Sequence, residues 1–85
     1  MQSKKFDLIV CGATGFTGQL VVEYLWKEYN NSNFKWAIAG RDANKLEQVG
    51  MKFSLQNISY LVADSSDLIS LKQLARQAKA VNTVI

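Results

Sequence analysis

Phe6-Asp7-Leu8-Ile9-Val10-Cys11-Gly12-Ala13-Thr14-Gly15-Phe16-Thr17-Gly18 is the stretch that decides the fold. Its first six residues form an almost continuous apolar run, the pattern of a strand buried on both faces, as in a parallel sheet. Gly12, Gly15 and Gly18 then recur every third residue, and a helical pattern begins at Gln19. Each glycine has a physical use in such a turn. The first permits the sharp exit from the strand, the second lets backbone approach a bound pyrophosphate, and the third lets the helix pack closely on the strand. Free N–H groups and the positive end of the helix dipole favour an anion there. Thr14 and Thr17 add hydroxyl donors. Spacing alone also describes a tight turn with no ligand, but the strand–loop–helix setting is the context in which it marks dinucleotide binding.

Beyond the loop, Val21, Leu25 and Tyr29 fall on one side of a helix over Gln19–Tyr29, with Glu23 and Lys27 four apart on another face. Asn30-Asn31-Ser32-Asn33 is a turn cluster. Phe34–Ala39 reads as the second strand, and Gly40-Arg41-Asp42 as its tight exit. Asp42 is a suitable N-cap for a helix from Ala43 to about Met51, with Leu46, Val49 and Phe53 inward. Ile58–Ala63 reads as the third strand. Asp64-Ser65-Ser66-Asp67 caps a third helix whose buried stripe is Leu68, Leu71, Ala75 and Ala78. Val81–Ile85 reads as a fourth strand. No proline interrupts the helices. The order β-α-β-α-β-α-β predicts an α/β fold: a parallel sheet with right-handed crossovers, about half of a Rossmann-like doubly wound sheet.

Two further residues sit where such a sheet holds a nucleotide. An acidic residue at the end of the second strand suits ribose hydroxyls, but Gly40-Arg41 stands there. A guanidinium is always charged and binds phosphate bidentately, so the position favours NADP(H) over NAD(H). The alternative is a solvated Arg41, or one paired with Asp42. Asp64 follows the third strand near the expected adenine, where its carboxylate either accepts from the amino group or serves as a helix cap.

The 85 residues are enough for one domain, and 48% apolar with 20% charged residues excludes a disordered tail. Cys11 is the single cysteine and there is no histidine, so a disulfide within the chain, a metal cluster and histidine chemistry are not expected. Cys11 itself reads as a core residue, and Tyr24, Trp26, Tyr29 and Trp36 suit helix and sheet faces. The net charge of +3 is spread along the chain beyond the Lys4-Lys5 pair, without the clustering that nucleic-acid binding needs. No apolar run approaches the ~18 residues of a membrane span. The opening is too short and charged for a secretory leader, so a cytoplasmic location is expected. Asn30-Asn31-Ser32 and Asn57-Ile58-Ser59 match the glycosylation pattern, which carries little without a leader. No catalytic constellation is present. Tyr24, Tyr29 and Tyr60 lack the lysine four residues on that marks short-chain dehydrogenases.

Phe6–Gln19, together with Trp36-Ala37-Ile38-Ala39-Gly40-Arg41, Lys45-Leu46 and Leu74–Lys79, resembles the N-terminal part of the saccharopine dehydrogenase-like oxidoreductases over nearly the whole chain. The resemblance implies that residues 1–85 are an NAD(P)-binding segment of a two-domain oxidoreductase several times longer, with no substrate domain here. It implies a pyrophosphate lined by Gly12, Ala13, Thr14, Gly15, Phe16 and Thr17, with Gly18 closing the loop, Arg41 on the 2′-phosphate and Asp64 near the adenine. In that family the fourth strand leads into Asn-x-x-Gly-Pro-Tyr. Asn82-Thr83-Val84 begins this segment and Ile85 stands where the glycine is expected. The expectation is therefore a truncated product without catalysis of its own. A chain completed by a second copy or a partner along the fourth strand, or the product of a decayed or split gene, are the rival expectations.

Overall fold

A computed structural model describes residues 4–30, 32–64 and 66–83. Along the chain come β1 (Phe6–Cys11), α1 (Phe16–Tyr29), β2 (Trp36–Gly40), α2 (Ala43–Lys52), β3 (Ser59–Val62), α3 (Leu68–Gln77) and β4 (Ala78–Thr83). The strands form one parallel sheet in the order β3-β2-β1-β4. This is the arrangement of half a doubly wound fold. β1 is central: Leu8 lies opposite Trp36 and Cys11 opposite Ala39 on one side, while Phe6 lies opposite Ala78 and Cys11 opposite Thr83 on the other.

Strand alternation divides the interior into two cores. Val10, Trp36 and Ile38 meet Val22 and Leu25 of α1 and Leu46 and Val49 of α2 on one face. Ile9, Cys11, Ala37 and Ala39 meet Leu74 of α3 on the other. β2 is buried along its whole length, which explains its unbroken apolar run. Ile38 and Leu46 are fully buried, each contributing about 1.5–3 kcal/mol of apolar transfer. Asp42 caps α2 as expected, accepting from the N–H groups of Asn44 and Lys45.

Buried rows and element boundaries differ from the sequence expectation in several places. In α1 the buried row is Gly18, Val22 and Leu25 rather than Val21, Leu25 and Tyr29. Gly18 must face the loop at Gly12, and that contact fixes the rotation of the helix about its axis. In α3 the buried residue is Leu74. Leu68 is 65% exposed and Ala75 is also exposed, because the helix meets the cluster of Ile9, Cys11, Ala37 and Ala39 through Leu74. Ala78 is buried as the first residue of β4, since the chain passes from helix to strand without a loop. β4 therefore begins three residues before Val81; the expected Val84 and Ile85 lie outside the described residues, as do Asn31 of the turn cluster and Ser65 of the cap. β2 begins at Trp36, and Phe34 instead packs on Tyr29 with ring centroids 4.7 Å apart.

Asp7, the one charge in the β1 run, ties three strands' starts together. Its carboxylate accepts from the Lys35 N–H at 2.9 Å, just before β2, and from the Lys79 ammonium of β4 at 3.1 Å. The Lys35 hydrogen bond, followed by Lys79, holds the carboxyl below its ordinary value of 3.8. The folded carboxyl is thus the stronger acid. Its stabilising contribution is complete above the unfolded value and is lost as the pH falls through the folded one. Urea unfolding between pH 7 and 2.5 should show the natural sequence losing part of its stability below about pH 4, and Asp7→Asn a shallower loss. Parallel curves for the two proteins would exclude this role.

Candidate functional site

The carboxyl ends of β1, β2 and β3 open on one edge of the sheet, and the loops leaving them meet there. Ligands of open α/β sheets bind at this edge, where the strand order reverses. The reversal here lies at β1, between β2 and β4. Gly12, Thr14 and Gly15 of the first loop, Gly40 and Arg41 of the second, and Ala63, Asp64 and Ser66 of the third line a hollow of about 340 Å³ beside Cys11.

The loop geometry separates the three glycines by cause. Gly12 has φ 83°, a left-handed conformation that favours glycine. Its N–H and that of Ala13 donate to the Ala39 carbonyl at 3.0 and 3.2 Å, which ties the strand exit to β2. A Cβ on Gly18 would land on the Gly12 carbonyl oxygen and lie 2.9 Å from the Ala13 Cα. Gly15 is different. Its φ and ψ of −76° and 169° suit any residue, and a Cβ would meet only the Gly12 carbonyl oxygen at an ordinary 3.6 Å. Nothing within the described chain requires glycine at position 15.

α1 starts at Phe16, three residues before the expected Gln19, so Phe16, Thr17 and Gly18 form its first turn. No side chain caps this end and no acidic residue lies in the turn. The first helical bond is from the Gln19 N–H to the Gly15 carbonyl at 2.9 Å, so the N–H groups of Phe16, Thr17 and Gly18 have no acceptor among the described residues.

Of the residues expected at the site, Gly12, Thr14, Gly15, Arg41 and Asp64 line the hollow. The Ala13 side chain is in the core, the Phe16 and Thr17 side chains are exposed on the helix, and Gly18 packs against Gly12. Asp42 is engaged in capping α2, and Arg41 makes no hydrogen bond or ion pair among the described residues. The expected alternative of an Arg41–Asp42 pair is therefore not formed. Asp67, not Asp64, is the N-cap of α3. One Asp64 oxygen accepts from the Ser66 hydroxyl at 2.7 Å and the Ser66 N–H at 2.9 Å. The Ser66 hydroxyl, its N–H and the nearby Arg41 charge hold the Asp64 carboxyl below the usual carboxylate range. The local Asp-x-Ser spacing carries the signal for this turn.

Two residues without an expected role also reach the loop. The Gln19 side-chain amide donates to the Thr14 carbonyl at 2.9 Å, and the Lys52 ammonium donates to the Gln19 amide oxygen at 2.9 Å. Lys52 lies at the far end of α2, so no local pattern announces the contact. A larger hollow of about 890 Å³, lined by Trp26, Phe34 and Trp36 among others, opens at the opposite edge. It lies at the amino ends of the strands, away from the edge where this architecture places ligands.

No protein-family model matches the chain. It is 36% identical over 92 residues to the saccharopine dehydrogenase-like oxidoreductase of Mus musculus, covering 94% of this chain and 21% of that protein. The chain matches a segment of the saccharopine dehydrogenase-like oxidoreductases. The lipid droplet localized protein of Caenorhabditis elegans is 41% identical over 83 residues, covering 91% of this chain and 20% of that protein. The trans-acting enoyl reductase of Mycobacterium tuberculosis (strain ATCC 25177 / H37Ra) is 32% identical over 84 residues, covering 96% of this chain and 20% of that protein. The chain thus spans about a fifth of the length of the curated relatives it matches. Among the described residues, no helix is long and apolar enough to cross a membrane.

Proposed function

We propose that the chain is an NADP(H)-binding segment of an oxidoreductase, holding the adenosine and pyrophosphate half of the cofactor and supplying no catalytic group itself. The observation that carries this reading is the start of α1, whose three N–H groups without an acceptor among the described residues adjoin a hollow lined by the Arg41 guanidinium, which is likewise unpaired among the described residues. Unpaired donors at a helix start suit phosphate oxygens. The open space at Gly15 supports the same fit, because a ligand supplies the reason for glycine that the chain's own packing does not. Two of the relatives carry names of redox enzymes.

In this reading the backbone of Gly12–Thr17 binds the pyrophosphate, with Gly18 holding the helix close. Arg41 takes the 2′-phosphate, and the free Asp64 oxygen accepts from the adenine amino group. When bound, the nicotinamide donates or accepts a hydride; the chemistry around it belongs to residues outside this segment.

Two-dimensional amide spectra recorded with increasing NADPH and then NADH test the reading. Peaks of Gly12–Gly18 and Arg41 should shift with both, at lower concentration for NADPH. Charge-assisted hydrogen bonds of about 1.5–3 kcal/mol make Arg41→Ala roughly 10–150-fold weaker for NADPH. NADH affinity should be nearly unchanged. Equal affinities of Arg41→Ala and the natural sequence for NADPH would remove the 2′-phosphate role. Spectra indifferent to both nucleotides would remove the reading as a whole.

A further inference from the structure

We infer that Gln19, held by Lys52, is a positioning residue that clamps the Thr14–Gly15 peptide of the glycine loop; its consequence for nucleotide binding rests on the reading above. The Thr14 carbonyl and the Gly15 N–H belong to one peptide plane. The carbonyl accepts from the Gln19 amide at 2.9 Å, and the N–H donates to the Gly12 carbonyl at 3.2 Å. Both ends of that plane are therefore fixed. Without the first bond the plane is anchored at one end, and the Thr14 carbonyl is released to turn toward the bound anion and repel it.

The orientation of the Gln19 amide is set by its partners. A carbonyl on one side admits only the NH₂ group, and an ammonium on the other admits only the oxygen. Lys52 thus does more than add a surface charge, because it fixes which end of Gln19 faces the loop. Gln19 is half-buried and projects from the second turn of α1, while Lys52 comes from the last turn of α2. The clamp joins the two helices that cover one face of the sheet to the loop that leaves its central strand.

The variants Gln19→Leu, Gln19→Glu, Lys52→Met and Lys52→Arg, compared by NADPH and NADH titration, thermal unfolding and amide hydrogen exchange at Gly15, test the inference. Gln19→Leu should weaken NADPH and NADH alike, by about 10-fold through lost preorganisation. The equal loss is expected because the pyrophosphate is common to both. Gly15 exchange should rise as well. Gln19→Glu keeps the acceptor for Lys52 but loses the donor to Thr14, so it should bind as poorly as Gln19→Leu while unfolding near the natural midpoint. Lys52→Met should give a smaller loss, restored by Lys52→Arg.

Unchanged Gly15 exchange in Gln19→Leu and Gln19→Glu overturns the clamp, whatever the nucleotide does. Faster exchange with unaltered affinity removes its link to binding. Faster exchange in a chain whose natural sequence binds neither nucleotide leaves the clamp standing and removes the nucleotide reading. Should Gln19→Leu fail to fold, Gln19→Glu and the exposed Lys52 variants decide the same questions.

Discussion

Gly18→Ala is expected to lower the thermal midpoint by roughly 10 °C or more, given 4–8 °C per kcal/mol for a domain of this size. Helix propensity points the other way, since alanine within a helix is worth about 1 kcal/mol over glycine. The surrounding contacts decide against it. The new Cβ meets the Gly12 carbonyl oxygen, with the Gly12 carbonyl carbon and the Ala13 Cα both at 2.9 Å. All are backbone atoms, so no flexible side chain can give way. Gly12 already has a left-handed φ, and its N–H and that of Ala13 are bonded to β2. Relief requires lifting α1 from β1, which opens the contacts of Val22 and Leu25. Overpacking of this kind costs about 3 kcal/mol or more, leaving a net loss of about 2 kcal/mol from a total on the order of 4–13 kcal/mol for 85 residues. Thermal and urea unfolding of the two proteins measure it. A midpoint at or above the natural one would mean that the loop yields and propensity prevails.

Gly15→Asp should separate binding from stability. Position 15 has an extended backbone and room for a side chain, so the variant should fold. It is also the N-cap of a helix that has no side-chain cap. An aspartate there can accept from the first-turn N–H groups and complement the dipole, so the thermal midpoint should stay level or rise, by up to about 1 kcal/mol of stability. The same carboxylate would occupy the donors proposed for the pyrophosphate and repel it. Like charges brought together cost several kcal/mol, so NADPH affinity should fall by about 100-fold or more. Gly15→Ala, which adds bulk without charge, should lose less. Retained NADPH affinity in Gly15→Asp would place the pyrophosphate elsewhere, and a clear loss of stability would contradict the backbone geometry at this position.

The two inner strands of the sheet were legible because they are largely buried on both faces. Phe6–Cys11 matches β1 at both ends, since an apolar run ending in glycine has one reading in an alternating β/α chain. Asp42 was legible as a cap because its function is local, two and three residues ahead. The start of α1 was not. Thr17 and Gly18 are poor helix formers, and only the contact of Gly18 with Gly12 brings them into the first turn. The change from α3 to β4 was hidden for a related reason. Ala78-Lys79-Ala80 has no strand preference of its own and is extended because it pairs with β1. At the site, Gly12, Arg41 and Asp64 were visible from their places after strands. The Gln19–Lys52 pair is 33 residues apart in sequence and leaves no local trace.

The position of β1 between β2 and β4 also bears on how the protein is made. Phe6 meets its partner Ala78 only after 72 further residues have been added. At about 5–20 residues per second, that is roughly 4–14 s of synthesis. Through this interval one side of the central strand has no neighbour, and Ile9 and Cys11 lack the Leu74 that later covers them. Parallel strands joined over such distances close slowly, because chain entropy is lost before the contacts form. The nascent chain therefore offers a chaperone an apolar strand with an open edge, and release from the ribosome before Ala78–Thr83 emerges would leave that edge exposed.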